Sequence, residues 1–375
     1  MTTTMPVPFL DLTAQYRTIE AEVDAAMASV IADNAFVRGR FVEAFEVEYA
    51  ESYGVEHCIG VANGTDAIYI ALKMLGVGPG DEVITAANSW ISSSEVISQT
   101  GATPVFADVE PGFFTLDPAD LKERVTDRTR AVIPVHLFGQ PAAMDEIMAV
   151  AANHNLAVVE DTAQAHFATI NGALAGAIGA VGTFSFYPGK NLGAYGDAGC
   201  LITDDAELAR RIRMFANHGS DPSDKHNHRM EGINSRLDGL QAAVLSVKLR
   251  HIREWNRMRA FNAEAYAARL SGLGDLELPD TRPGASHVFH LYCIRSAQRD
   301  DLRAYLAEHG VATGIHYPTA LPLLEAYDHL GYTAADFPVA ARYQNEILSL
   351  PMYPELSEDQ IAYVGDVIEQ FFEAP

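Results

Sequence analysis

The chemistry legible in this sequence centres on a carboxylate and an amine that each follow an apolar run. Asp161 ends Val158-Val-Glu-Asp, and Lys190 stands in a Pro188-Gly-Lys turn beyond Gly182-Thr-Phe-Ser-Phe. Both runs read as strands, so both side chains belong at the end of a sheet, facing a crevice. Burial lowers the pKa of a lysine and makes its neutral amine a nucleophile. A lysine of this kind opposite a carboxylate suits a Schiff base to pyridoxal phosphate (PLP), with the acid keeping the ring nitrogen protonated. At about 4 Å and an effective dielectric of about 20, such a charge contact is worth about 4 kcal/mol before desolvation is subtracted. A plain Asp161 to Lys190 ion pair satisfies the same spacing, so spacing alone leaves both readings open.

A phosphate seat is the second requirement. Asn63-Gly-Thr-Asp lies between an apolar run and a helical pattern over 67–75, where unpaired amides and the helix dipole attract anions. The same four residues also make an ordinary capped turn. Ser185 offers a hydroxyl nearby, or a serine on an exposed strand face. Trp90, one of two tryptophans, follows Asn88-Ser and suits stacking on a planar ring or packing in a core. His226 and His228 lack a third ligand nearby, so no metal is expected. A phosphate-binding loop ending at Lys190 needs glycine at 184 and Ser or Thr at 191, where Phe184 and Asn191 stand. Gly176, Gly179 and Gly182 read GxxGxxG rather than GxGxxG, which removes the dinucleotide fingerprint.

Short apolar runs at 58–62, 82–86, 104–109, 131–136, 157–160, 182–186 and 199–203 alternate with helical patterns. They predict an α/β core built on a large, mostly parallel sheet. A helical pattern from Asn234 toward Leu270 carries Leu237, Leu240, Val244 and Val247 at spacings of three and four. The order is less regular beyond it, and Ser357-Glu-Asp-Gln is a capping box ahead of Ile361, Val364, Ile368 and Phe371. The expected organisation is a large domain over 1–250 and a smaller C-terminal α+β domain over 251–375, consistent with a length of 375 residues. Lys and Arg number 26 against 50 Asp and Glu, a net charge of −24 that repels nucleic acid and anionic lipid. Three scattered cysteines, no basic leader and no apolar stretch long enough to span a bilayer point to a cytoplasmic protein.

The blocks PFLDLTAQY, VANGTDAIYIAL, DEVITAANSW, GATPVFADVEP, PVHLFGQPA, VVEDTAQAH, GTFSFYPGKNLGAYGDAG, EGINSRLDGLQAAVL, HVFHLY and GIHYP run nearly end to end. Together they resemble the DegT group of fold-type-I, PLP-dependent nucleotide-sugar aminotransferases. The resemblance implies that Lys190 holds PLP and shuttles protons, Asp161 pairs with the pyridine nitrogen, Gln164 reaches the ring hydroxyl side and Trp90 stacks on the ring. Gly64, Thr65 and Ser185 would hold the phosphate. Asn234 matches an asparagine that reaches the cofactor phosphate of the neighbouring subunit, implying a homodimer with shared active sites. His316, Tyr317 and Arg236 match positions that face the sugar nucleotide. The implied reaction moves an amino group, usually from glutamate, to a keto sugar on a nucleoside diphosphate.

Related dehydratases carry histidine where this chain has Lys190. The block at 191–197 resembles members that aminate C-3 of a dTDP-linked keto-deoxyhexose. Amination at C-4, or of a cyclitol such as an inosose, is the alternative within enzymes. A non-catalytic sensor or regulatory protein on the same fold is the alternative from another class. Residues 220–230, with Lys225 and two histidines, match no assignable pattern and lie where substrate loops vary.

Overall fold

The computed structural model describes residues 5–221 and 223–373, apart from the Lys225 side chain. Residues 1–4, which carry part of the no-leader reading, lie outside the described residues. Seven strands make the central sheet: β1 His57–Val61, β2 Glu82–Ala86, β3 Thr103–Ala107, β4 Thr129–Ile133, β5 Ala157–Asp161, β6 Val181–Ser185 and β7 Gly199–Thr203. Their order across the sheet is β1-β7-β6-β5-β4-β2-β3. Only β7 runs against its neighbours. The carboxyl ends of the other strands therefore share one edge with the start of β7. Each expected strand forms: 82–86 and 199–203 keep the expected bounds, and the ends of the others shift by at most three residues. The largest shift has a simple cause: Pro134 has no N–H to donate, so β4 stops at Ile133 instead of reaching His136.

Helices α1 Leu12–Asp33 and α2 Arg40–Tyr53 precede the sheet, α3 Gly64–Met74 follows β1, and α4 Ser92–Thr100 follows β2. Asp11 caps α1 by accepting from the Ala14 amide at 2.9 Å. α3 buries Ala67, Ile68, Ile70, Ala71, Leu72 and Met74, more than one face of a helix, so it lies inside the core. Its N-terminus presses on β6, where a Cβ on Gly64 would lie 2.6 Å from the Ser185 Cβ. Only glycine permits that approach.

The helical pattern expected from Asn234 to Leu270 resolves into two helices, Gly239–Leu249 and Ile252–Leu270. The break comes where the amides of Arg250 and His251 turn to the i−3 carbonyls of Val247 and Lys248, tightening the last turn. Asn234 lies ahead of the first helix, in an isolated bridge with Asn217. That helix begins at Gly239 because the chain there packs on the α1–α2 connection: a Cβ would sit 2.0 Å from the Ala35 carbonyl oxygen.

Beyond His251, Tyr292–Arg295 and Ile347–Leu350 pair antiparallel. Ser357 and Gln360 form the expected capping box, with bonds of 3.2 and 3.0 Å, at the start of the helix Glu358–Glu373. Tyr343, Phe337 and Ile347 pack with Phe106, Val132 and Ile147 over one face of the sheet. This contact holds the C-terminal elements above the carboxyl edge. All three cysteines, Cys58, Cys200 and Cys293, are buried and unpaired. No helix among the described residues is long and apolar enough to cross a membrane.

Directly behind Asp161, the wholly buried Glu160 accepts from His136 Nε2 at 3.0 Å and from the amides of Gly176, Ile178 and Gly179 at 2.6 to 2.7 Å. The Ala142 amide donates to His136 Nδ1, which places the imidazole proton on Nε2, toward the carboxylate. One side chain thus ties β5 to the connection that leads into β6. Glu160→Ala strands these donors and should lower the unfolding free energy by about 3–5 kcal/mol in urea titrations. Glu51→Ala, on the exposed side of α2, should leave it within about 0.5 kcal/mol of the parent.

Candidate active site

Lys190, Asp161, Gln164, Gly64, Thr65, Trp90, Ser185, His316 and Tyr317 line one cavity of about 570 Å³ at the carboxyl edge of the sheet. Asp161 is the last residue of β5, fixed by its amide to Pro134 O at 2.9 Å and by its carbonyl, which accepts from His136 N at 3.0 Å. Lys190 follows β6, in a turn closed by its own amide on Tyr187 O at 2.8 Å. Parallel pairing of Asp161 with Thr183 brings the two strand ends side by side. Among the described residues no direct ion pair joins Asp161 to Lys190; the two charges face the cavity and act on each other across it.

Burial lowers the Lys190 amine from 10.5 to about 8, and the Asp161 charge opposes that fall. Burial likewise raises the Asp161 pKa. The Ala163 amide at 3.2 Å, the Ser93 hydroxyl at 3.0 Å and Lys190 oppose the rise without cancelling it. A cationic donor inside the cavity would restore the anion, and a protonated pyridine nitrogen is such a donor. The depressed amine and the underpaired carboxylate therefore fit PLP.

The remaining walls agree with that fit. Asn63 caps α3 by accepting from the Asp66 amide at 2.8 Å, which leaves the Gly64 and Thr65 amides without an intrahelical carbonyl. The hydroxyl pair Thr65 and Ser92, 2.7 Å apart, and the Ser185 hydroxyl stand beside them, a donor set suited to phosphate. Trp90 is 57 % exposed and meets Tyr317 with ring centroids 5.6 Å apart, forming an aromatic wall. Gln164 is oriented twice: its Oε1 accepts from the Phe138 amide at 2.7 Å and its Nε2 donates to the Tyr317 hydroxyl at 3.1 Å. Burial pushes the Tyr317 phenol up to about 12, so its own proton stays on and is free to be donated. His316 stacks on Phe9, bonds Ser349 Oγ through Nδ1 at 2.9 Å, and is driven down to about 4 by burial and then by Lys190.

Two expected residues lie elsewhere. Asn234 is exposed and outside this cavity. Arg236 lines a second cavity of about 340 Å³ with Arg38 and Arg213, and donates to Asn217 Oδ1 at 3.3 Å. Residues 220–230 form a short hairpin, Ser220–Asp221 against Asp224–His228; Pro222 and the Lys225 side chain lie outside the described residues.

Two residues of the site escaped the sequence reading. Ser93, fully buried, donates to Asp161 and is held by Ser89 at 2.9 Å. Its signal was a run of three serines opening a helix just after Trp90. His290 lines the cavity and bonds Asn191, whose amide reaches Asn256 and Val288. Its signal was the second histidine of HVFHLY, and nothing in the spacing tied it to Lys190.

Comparison with known proteins identifies the family. Residues 17–369 match the model of the DegT/DnrJ/EryC1/StrS aminotransferase family. A pleiotropic regulatory protein of Geobacillus stearothermophilus is 45 % identical over 98 % of this chain and 99 % of its own. The dTDP-3-amino-3,4,6-trideoxy-alpha-D-glucose transaminase of Streptomyces venezuelae is 44 % identical over 98 % of this chain and 96 % of its own. The crystal structure of S. venezuelae DesV in complex with a ketimine intermediate superposes with a TM-score of 0.96 at 43 % identity, covering 99 % of this chain and 100 % of that one. The chain belongs to the DegT/DnrJ/EryC1/StrS aminotransferase family and is a PLP-dependent aminotransferase of the α/β fold that family shares.

Proposed function

We propose that the chain transfers an amino group from an amino acid, glutamate by preference, to the keto carbon of a sugar carried on a nucleoside diphosphate, at C-3 of a dTDP-linked keto-deoxyhexose. The observation that carries the reading is the placement of Lys190 and Asp161 on one buried cavity, with the amine depressed to about 8. The name of the S. venezuelae relative, which is 44 % identical, supports the C-3 position and the dTDP carrier. The resemblance of the block at 191–197 to C-3 members points the same way.

When bound, PLP supplies an aldehyde that takes up the amino group and a ring that accommodates electrons from the carbon losing a proton. The protein supplies the rest. Lys190 would hold the aldehyde through its neutral amine and would carry a proton at Nζ within the cavity. Asp161 would favour a protonated ring nitrogen, the Gly64 and Thr65 amides with Ser185 would hold the phosphate, and Trp90 would stack on the ring. Tyr317, positioned by Gln164, offers a donor to an oxygen of the ligand.

The same reading assigns the protein to a cytoplasmic homodimer. Three buried free thiols suit a reducing compartment. Trp90 and Tyr187, 57 % and 59 % exposed at the cavity, and Phe36 and Val37, 44 % and 53 % exposed, leave apolar surface that a second copy would cover. Asn234, exposed and outside the lining of its own cavity, is then available to the partner's cofactor phosphate.

Lys190→Ala should abolish transamination and the absorbance change that accompanies covalent capture of PLP; turnover in that variant would reject the assignment. Asp161→Asn should still bind PLP while the half-reaction with glutamate slows by roughly 100-fold or more. In apoprotein mixed with PLP, the capture rate should rise with pH through a midpoint near about 8, because the amine is largely protonated below that value and neutral above it. A midpoint near the ordinary 10.5 of lysine would show that the cavity does not depress the amine.

A further inference from the structure

His290 is a side chain of the cavity for which the mechanism above has no use. Its ring is held by a chain of amides that ends on two backbone carbonyls. The His166 carbonyl can only accept, so Asn256 turns Nδ2 to it at 2.9 Å and presents Oδ1 to Asn191. The Val288 carbonyl likewise only accepts, and Asn191 Nδ2 gives one proton to it at 3.0 Å and the other to Asn256 Oδ1 at 2.9 Å. Asn191 Oδ1 is therefore an acceptor, and the His290 Nδ1 that lies 3.2 Å from it must carry the ring proton. In the neutral ring this leaves Nε2 with a bare lone pair. That nitrogen has no partner among the described residues, while the ring lines the cavity.

The ring also stays neutral. Burial holds its pKa well below the ordinary 6.5, and the positive charges of Lys190 and Arg259, with His316 and His166, act in the same direction. Arg259 fixes the backbone besides, donating to the carbonyls of Phe289, His290 and Met352 at 3.2, 3.3 and 2.9 Å. The His290 ring, part of the cavity lining, thus carries at Nε2 a neutral acceptor that donates nothing. Phosphate, carboxylate and keto oxygens offer only lone pairs and cannot pair with it. A hydroxyl can.

We propose that His290 is a specificity-determining residue whose Nε2 accepts a hydrogen bond from a hydroxyl of the substrate's sugar, so that the site selects a keto sugar carrying that hydroxyl over its deoxygenated analogue. The inference rests on the keto-sugar reading above and deepens it. Its physical basis is that a buried polar group left unpaired by the wrong ligand costs far more discrimination than a missing methylene does. The Asn191–Asn256 relay makes the lone pair a fixed feature, because reversing the tautomer requires both amides to turn away from backbone carbonyls.

The test compares the PLP-loaded wild type with His290→Phe, which keeps a ring and removes the acceptor, and His290→Gln, whose Oε1 restores one. Each is assayed separately in the glutamate half-reaction and in the half-reaction with dTDP-linked 3-keto sugars that have or lack hydroxyls next to the carbonyl. The expected result for His290→Phe is unchanged PLP binding and a glutamate half-reaction within about 2-fold. Its kcat/KM for the hydroxylated sugar should fall by roughly 10- to 1000-fold, with loss of the preference over the deoxy analogue. His290→Gln should recover part of that preference, and the pH profile should not move between pH 6 and 9. Equal losses in both half-reactions, or wild-type enzyme indifferent to every neighbouring hydroxyl, overturn the proposal; the second measurement needs no variant to fold. Wild type that takes the amino group from glutamate but delivers it to no nucleotide-linked keto sugar overturns the substrate reading and this inference with it. Wild type active on those sugars beside a His290→Phe of unchanged selectivity overturns this inference alone.

Discussion

The site depends on one electrostatic compromise: an amine and a carboxyl are both taken out of water at the same sheet edge, close enough to influence each other but not paired. A direct ion pair would have satisfied both groups and left neither reactive. Because they face a shared cavity instead, burial dominates, lowering the Lys190 pKa and raising that of Asp161. Each group then gains most from a ligand that offers it what it lacks, an electrophilic carbon for the amine and a cationic donor for the acid. A planar heterocycle with an aldehyde on one side and a basic nitrogen opposite supplies both.

The fold pays attention to the acid in two layers. Asp161 and Glu160 are neighbours on β5, so their side chains leave the strand on opposite faces. Glu160 turns inward and gathers the amides of the Gly176–Gly179 connection, which holds β5 in place beside β6. Asp161 turns to the cavity, where Ser93 at the start of α4 fixes one oxygen and the Ala163 amide the other. The first carboxylate is satisfied by the protein alone, the second only in part. That difference separates a structural acid from one available to a ligand.

Much of this was legible in the sequence because it is local. Short β-branched runs mark the strands, polar residues at their ends mark the cavity edge, and the Ser357 capping box marks the last helix at its observed position. What was hidden depends on contacts remote in sequence. The break at Arg250 and His251 is invisible to a helical period that continues through it. Arg236 lies near Lys190 in no linear sense, and the chain carries it to a different cavity, beside Arg38 from the α1–α2 connection. Ser93 and His290 reach the site from α4 and from the segment before Tyr292, and no spacing rule connects either to residue 161 or 190. Their roles became readable only once hydrogen-bond partners fixed which atoms donate and which accept.

The reversal of β7 has a mechanical side. Because β6 and β7 are adjacent and antiparallel, the stretch between Ser185 and Gly199 is the loop of a hairpin, with both stems embedded in the core. Lys248 buttresses that loop from beneath by donating to the Gly193 carbonyl at 2.8 Å. The lysine arm therefore swings from a base anchored at both ends and braced in the middle, unlike a crossover loop free to drift with its helix. Any displacement of its amine must come from rotation about side-chain bonds, which confines its travel to a small arc above the sheet.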